Sequence, residues 1–301
     1  MTRSSMIVAV TGASGVIGGA VCKHLESSGH KIVRISRNPT FADVHWSPSE
    51  GVIDRNGLNG IDAVIHLAGE SIGRRRWTRR QKAEIYKSRI NGTQLIARAV
   101  TNLDAPPKVF LSGSAIGFYG DCGSDKIDES FPKGSGFLAE VAADWEESAK
   151  AAEEAGIRVV HLRTGIVLDP TSGVLQKMLP LFRLGIGGKL GKGNQYWSWI
   201  TLEDEARLIS WLLSNQIEGP INLAAPNPVT NSEFTKTLGQ VLGKPTMMSV
   251  PRFGPEVLIG KELARELIFT STRAIPSIAL SHGFEFAYPH LDAALKRILK
   301  K

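Results

Sequence analysis

Short apolar runs alternate with longer amphipathic stretches along the first two thirds of the chain. Met6 to Val10, Lys31 to Ile35, Asp62 to Leu67, Lys108 to Ser112 and Ile157 to Thr164 have the length and apolar character of strands. Between them, the stretch ending near Ser28-Gly29, Thr78 to Val100 and Phe137 to Ala155 read as helices, and Gly156 reads as a helix-ending glycine. Strands separated by helices predict an α/β fold whose parallel sheet is covered on both faces. The rhythm loosens from about Asp169, where Pro170, Gly173, Pro180 and the glycines from Gly185 to Gly191 interrupt it. Helices are expected again at Glu203 to Ser214, Asn231 to Leu242 and Pro289 to Leu299. The expected organisation is a doubly wound domain over residues 1–168, its sheet completed by parts of 196–224, and a smaller C-terminal α/β lobe over 169–301.

The first strand runs directly into Thr11-Gly12-Ala13-Ser14-Gly15-Val16-Ile17-Gly18, a glycine-rich turn that opens a helix. Gly12 allows the chain to reverse, Gly15 leaves room for the backbone to approach a ligand, and Gly18 lets the helix pack close to the strand. The first helical N–H groups then face an anion, so the turn is suited to a pyrophosphate and the sheet reads as Rossmann-type. The same spacing also serves ordinary tight turns, and the strand-turn-helix context is what favours the ligand. An NAD-type site would place an Asp or Glu about 20 residues past the glycines to accept from the ribose hydroxyls. Here the second strand ends instead in Ser36-Arg37. A hydroxyl beside a guanidinium grips a 2′-phosphate, which a carboxylate would repel, so NADP(H) is preferred over NAD(H). The alternative is that Arg37 is a solvated loop residue.

Composition narrows the setting. The 301 residues are 42% hydrophobic, enough for one large domain plus a lobe. Two cysteines, Cys22 and Cys122, give no disulfide framework and no metal-ligand spacing, so no metal is expected. The N-terminal apolar run is too short for a signal peptide core, and no run approaches the length of a membrane span, so a reducing, cytoplasmic setting without a membrane partner is expected. Of the formal net charge of +7, much comes from five arginines within Arg74-Arg75-Arg76-Trp77-Thr78-Arg79-Arg80. This cluster suits nucleic acid, an anionic substrate or cofactor phosphate, or a solvated loop. It follows a strand's carboxyl end, where ligands of doubly wound sheets bind, and no nucleic-acid motif accompanies it, so the substrate-side and structural readings stand above nucleic acid.

Several segments resemble the extended short-chain dehydrogenase/reductases, the epimerase/dehydratase superfamily. They are the opening turn, His66-Leu67-Ala68-Gly69, Asn91-Gly92-Thr93, Ser112-Gly113-Ser114 and Arg163 to Pro170. Ala68-Gly69-Glu70-Ser71-Ile72, Arg75-Arg76-Trp77-Thr78, Ser88-Arg89-Ile90, Asp144-Trp145-Glu146, Trp197-Ser198-Trp199-Ile200 and Gly283-Phe284-Glu285-Phe286 are similar to a narrower, atypical subgroup. That subgroup comprises epimerase-family proteins also described as cell-division-inhibitor-like or nucleoside-diphosphate-sugar epimerase-like, and the likeness runs nearly end to end. It implies that Gly12, Ser14, Gly15, Val16, Ile17 and Gly18 surround the pyrophosphate, with Ser36 and Arg37 at the adenosine 2′-phosphate. It further implies that Leu67, Ala68 and Gly69 line the adenine-ribose side, and that Val167 lies near the nicotinamide through its backbone. Glu84 and Arg89, five apart on the long helix, are expected to reach roughly the same side of the dinucleotide.

The resemblance fails where the superfamily's chemistry sits. Those enzymes use a Tyr with a Lys four residues later on one helix, the ammonium lowering the phenol pKa. The corresponding stretch here is Phe137-Leu138-Ala139-Glu140-Val141, which has neither. Ser114 corresponds to the superfamily's active-site serine, and Tyr119 is the nearest phenol available as a proton donor. Each also has a plain structural reading, Ser114 ending a strand and Tyr119 packing beneath a loop. Trp197 and Trp199 either cap an apolar substrate pocket or seal the lobe against the sheet, and Asp204 is expected to cap a helix. The expected protein is an NADP(H)-binding oxidoreductase acting on a small molecule, for which the arginine cluster suits an anion, as a monomer or homodimer. A nucleotide-sugar epimerase and a non-catalytic NADPH-responsive regulator are the alternatives.

Overall fold

Strand periodicity organises both layers of the core. The computed structural model describes residues 5–299. Strands β1 (Ile7–Thr11), β2 (Lys31–Ser36), β3 (Val44–Ser47), β4 (Val52–Ile53), β5 (Ala63–His66), β6 (Val109–Ala115), β7 (Arg158–Thr164) and β8 (Gly219–Leu223) form one sheet. The order is β8-β7-β6-β5-β1-β2-β3-β4, with every neighbouring pair parallel except β3 and β4. Chain order reverses on either side of β1, which makes its carboxyl end the switch point where doubly wound sheets bind ligands.

The helices are α1 (Val16–Ser27), α2 (Arg79–Thr101), α3 (Phe137–Glu147), α4 (Lys150–Glu154), α5 (Gly173–Arg183), α6 (Leu202–Ser214), α7 (Asn231–Leu242) and α8 (Phe253–Ile259), followed by shorter turns and a C-terminal helix, Leu291–Leu299. Val8, Val10, Ile65, Leu111 and Leu162 face α1 and α6, where Val21, Leu25, Leu208 and Leu212 cover them. Ala9, Val64, Phe110 and Val159 face the opposite way, against Ile96 and Val100 of α2 and Ala152 of α4. Each such large side chain contributes about 1.5–3 kcal/mol by leaving water, so the two layers fix the sheet's register.

The single helix expected over Phe137 to Ala155 is broken between α3 and α4. Ser148 Oγ donates to the carbonyl of Asp144 at 2.6 Å, a back-bond that bends helices, and Ala149 departs from helical geometry with ψ −6°. In the C-terminal part, Lys261–Ala264 and a π-helical turn, Arg265–Phe269, follow α8. Helices are expected in this part from Pro255 to Lys301, and of that span Lys300 and Lys301 lie outside the described residues.

The lobe has its own core of Leu175, Phe182, Trp199, Phe234, Leu291 and Leu295. Trp197 and Trp199 are both buried in it, and their indole N–H groups donate to the carbonyls of Ile268 and Asn227 at 3.4 and 3.1 Å. Both tryptophans therefore seal the lobe, and neither caps a substrate pocket. The chain after residue 250 is sewn into the body. Arg273–Ala274 pairs with Lys126–Ile127, and Ser198 Oγ accepts from Ala274 N at 2.9 Å and donates to Thr272 O at 2.8 Å.

Asp204 is a tie between these parts rather than the helix cap. Thr201 caps α6, its hydroxyl accepting from Asp204 N at 3.0 Å, which frees the Asp204 carboxylate. That fully buried carboxylate accepts from Ala287 N and Tyr288 N, both at 2.9 Å, and from Arg207. Asp204→Ala leaves two backbone donors without an acceptor and is expected to lower stability by about 3 kcal/mol, read from the midpoint of urea unfolding. An unchanged midpoint would contradict this role.

Candidate functional site

The glycine turn closes tightly onto the exit of β5. Gly12 has φ +70°, and a Cβ there would stand 2.9 Å from the carbonyl carbon of Leu67. At Gly18 a Cβ would lie 2.2 Å from the Gly12 carbonyl oxygen, so only glycine lets α1 start this close to β1. Gly15 precedes α1 in extended geometry, and no side chain caps the helix. The N–H groups of Val16, Ile17 and Gly18 are thus left without helical acceptors, and no acidic residue occupies the first turn. Ser14, Gly15 and Val16 are exposed beside this end, with Ile17 half-buried.

Thr11 locks the turn from below. Its Oγ1 accepts from Leu67 N at 3.1 Å and Ala68 N at 3.2 Å and lies 2.8 Å from His66 Nδ1. With both acceptor positions used, the hydroxyl proton goes to Nδ1, which places the imidazole proton on Nε2. His66 is fully buried between the stacked ring of Phe110 and the edge-on ring of Trp46, and Nε2 has no hydrogen-bond partner among the described residues. Burial first, and the Arg89 charge second, push its pKa down to about 3, so the ring is neutral.

The other cofactor-side residues gather along the same carboxyl edge of the sheet. Ser36 ends β2 half-buried, its hydroxyl accepting from Asn38 N at 3.1 Å, and Arg37 beside it is exposed. Leu67 and Ala68 are half-buried and Gly69 exposed, with a Cβ at Gly69 only 3.3 Å from Arg89 Cζ. Arg89 Nη1 donates to the carbonyls of Glu70 and Ile85 at 2.9 and 3.1 Å, and its guanidinium lies 4.9 Å from the centre of the Trp145 ring. Burial lowers its pKa to about 10, which leaves it cationic at neutral pH. Glu84 does not share that side. Five residues turn an α-helix through about 140° beyond a full circle, and Glu84 stands exposed. Val167 lies half-buried in Ile166–Leu168, which pairs with Trp199–Thr201.

The two candidate catalytic hydroxyls belong to a buried network. Ser114 Oγ donates to Glu146 Oε1 at 2.6 Å, and Arg163 grips the same carboxylate through Nε and Nη2 at 2.7 and 2.8 Å. Arg163 stacks over Phe118 at 3.6 Å and donates to the Tyr119 hydroxyl at 3.0 Å, which in turn donates to Asn222 Oδ1 at 2.7 Å. Tyr119 is 1% exposed, and burial pushes its pKa up to about 12. As a proton donor facing a substrate, Tyr119 is therefore corrected: it joins β6 to β8 inside the core. The signal for Glu146 was present in Asp144-Trp145-Glu146, but nothing local marked its partners.

Phe137 and Val141 open the helix above this network. Phe137 meets Trp77 edge-on at 5.0 Å and carries Lys82 Nζ over its face at 4.5 Å, while Val141 is buried. Glu266, which sequence reasoning missed, reaches across from the π-helical turn. Its carboxylate accepts from Phe137 N and Leu138 N, both at 3.1 Å, and so caps α3. Gly136, with φ +110°, leaves the space this requires, since a Cβ there would come within 2.5 Å of Glu266 Oε1. Arg76 of the arginine cluster and Lys82 just beyond it also anchor this part of the chain: Arg76 donates to the Leu258 carbonyl at 3.2 Å, and Lys82 pairs with Glu262 at 2.6 Å. A second missed carboxyl, Glu205, is fully buried with Oε1 accepting from Thr164 Oγ1 at 2.9 Å and Oε2 unpartnered among the described residues. Burial pushes its pKa up to about 8.

Comparison with known proteins fits this arrangement. Residues 8–224 match the model of the NAD dependent epimerase/dehydratase family. The chain belongs to that family. Residues 250–298 also match a domain of unknown function, DUF1731. Over 295 residues the chain is 39% identical to an epimerase family protein of Mycobacterium bovis, covering 97% of each. It is 35% identical over 306 residues to the epimerase family protein YfhF of Bacillus subtilis, covering 98% of each. The crystal structure of the human epimerase family protein SDR39U1 with NADPH superimposes with a TM-score of 0.91 at 32% identity, covering 98% of this chain and all of that one. A UDP-glucose 4-epimerase of Thermus thermophilus, at 15% identity and TM-score 0.74, shares the fold.

The buried groups set a pH profile for stability. His66 keeps a folded pKa of about 3 against 6.5 unfolded, so its contribution is complete above 6.5 and is lost as pH falls toward 3. Glu205, at about 8 against 4.5, contributes fully below 4.5 and loses that contribution as pH rises toward 8. The two slopes, each at most about 1.4 kcal/mol per pH unit, cancel between 4.5 and 6.5. Urea unfolding across pH is expected to show a plateau there, and Glu205→Gln to remove the decline on its alkaline side. In the same assay Arg163→Ala, which strands a buried carboxylate, is expected to cost about 3–5 kcal/mol.

Proposed function

We propose that this family member is an NADP(H)-binding oxidoreductase acting on a small molecule without the usual Tyr/Lys pair. The observation that carries the reading is the uncapped start of α1 at the switch point, with Ser36 and Arg37, and no carboxylate, at the end of β2. The turn has the tight backbone geometry that a dinucleotide cradle requires, because Cβ atoms at Gly12 and Gly18 would collide with the backbone of Leu67 and of Gly12. Its NADPH-bound human relative supports the same choice.

In this reading Gly12 to Gly18 hold the pyrophosphate through free N–H groups, and Ser36 and Arg37 hold the 2′-phosphate. Leu67, Ala68 and Gly69 line the adenine-ribose side, Arg89 meets the dinucleotide from α2, and Val167 lies near the nicotinamide. When bound, the cofactor supplies hydride transfer. The Ser114 hydroxyl has its proton committed to Glu146, so toward a substrate its oxygen acts as an acceptor that orients a hydroxyl. Residues 1–168, with the strand at Gly219–Leu223, form the nucleotide-binding part, and 169–301 supply the substrate side.

Phe137 and Val141 favour a second reading, an NADPH-responsive protein without turnover, over a nucleotide-sugar epimerase. Calorimetric titration of Arg37→Ala is expected to show NADPH affinity reduced about tenfold or more with NADH affinity nearly unchanged. Equal losses would refute the phosphate assignment. Incubation with NADPH and a panel of carbonyl compounds then separates the readings: tight binding with no NADPH consumption sinks the oxidoreductase, and consumption sinks the regulator.

A further inference from the structure

Two segments far apart in the chain build one cationic, apolar face that the described residues leave exposed. Gly188–Leu190 pairs with Met248–Val250, bringing residues 181–192 beside 243–255. Within those ranges the sequence has Arg183, Lys189, Lys192, Lys244 and Arg252, all exposed, and no Asp or Glu. Between the cations stand large aliphatic and aromatic side chains. Leu184, Met247 and Phe253, with Val257 and Leu258 just beyond, are 68–95% exposed, and Leu181, Ile186 and Met248 add to the patch. Helix α8 is turned inside out for a soluble surface: its Phe253, Val257 and Leu258 face outward while Glu256 is half-buried. The neighbouring loop extends the face, because Arg76 joins the α8 carbonyls of Val257 and Leu258, which sets exposed Arg74, Arg75 and Arg79 at its border.

We propose that this face docks the protein on an anionic lipid bilayer. Apolar side chains that enter the headgroup boundary, ringed by lysines and arginines that meet lipid phosphates, are what interfacial membrane binding requires. A second copy is a poor occupant, since a two-fold contact would set the same unpaired cations against one another. Nucleic acid accounts for the charge but leaves the aliphatic side chains without a partner. No helix among the described residues is long and apolar enough to cross a membrane, so the protein lies on the bilayer without spanning it. In this proposal the arginine cluster has a role that does not depend on the cofactor.

Co-sedimentation of the full chain with vesicles tests the assignment. Phosphatidylcholine vesicles carrying about one third phosphatidylglycerol are expected to pull the protein down, pure phosphatidylcholine vesicles are not, and raised salt is expected to release it. Phe253→Ser with Leu258→Ser is expected to weaken partition about tenfold while the thermal midpoint holds, because both side chains are exposed. Protein left in the supernatant with anionic vesicles overturns the proposal, as does undiminished binding by the double variant. Light scattering that finds the patch covered by self-association, or a DNA duplex that displaces the protein from vesicles while binding the double variant equally well, assigns the face to those occupants instead.

Discussion

One hydroxyl, that of Thr11, fixes the crevice on which the rest of the site depends. It fills both lone pairs with the N–H groups of Leu67 and Ala68 and gives its proton to His66, so β1 and β5 cannot separate at their carboxyl ends. The glycine turn follows from that closeness, because Gly12 lies where any Cβ would meet the Leu67 backbone. Burial of the neutral His66 is the cost of the arrangement, and Phe110 and Trp46 enclose it. The start of α1 is thereby held at the switch point of the sheet, facing outward with its N–H groups free.

The C-terminal part is built into this frame rather than appended to it. Glu266 finishes α3, Asp204 receives the backbone of Ala287 and Tyr288, and Ser198 bonds the strand at Arg273–Ala274 on both sides. The segment that matches a domain of unknown function thus gives acceptors to α3 and Ser198, through Glu266 and the Thr272 carbonyl, and backbone donors to Asp204 and Ser198, through Ala287, Tyr288 and Ala274. Ser114, Glu146, Arg163, Tyr119 and Asn222 form the buried counterpart, joining β6, α3, β7 and β8 beneath the cleft. A hydroxyl held this way has one orientation, which suits it to positioning and removes it from proton donation.

Five of the sheet's eight strands and the long helices were legible in the sequence because apolar runs and period-3.6 patterns reflect faces that must be buried, whereas the short Val44–Ser47 and Val52–Ile53 carry too few apolar residues to stand out. Asn231 to Leu242 matches its helix residue for residue, and Lys31 to Ile35 is one residue short of its strand. The break after Glu147 was not legible, since Ser148 is an ordinary helix residue until its hydroxyl turns back on Asp144. The position of Ser36 and Arg37 at the end of β2 was readable because an apolar run stops there. Tyr119 was misread because a phenol near an active-site serine looks the same in sequence whether it faces the cleft or the core. Glu266, Glu205 and the partners of Arg163 were invisible for a related reason: their meaning lies in contacts between residues tens to more than a hundred positions apart.

The Glu266 cap has a consequence for how the protein is made. Phe137 N and its acceptor are separated by 129 residues, so at ribosomal rates of about 5–20 residues per second the start of α3 waits roughly 6 to 26 s for its partner to be synthesised. The N-terminal sheet can assemble during that interval, but α3 stays unfinished. Completion of α3 is therefore coupled to completion of the chain, and a ribosome that stops short releases a nucleotide-binding sheet whose neighbouring helix has an open end.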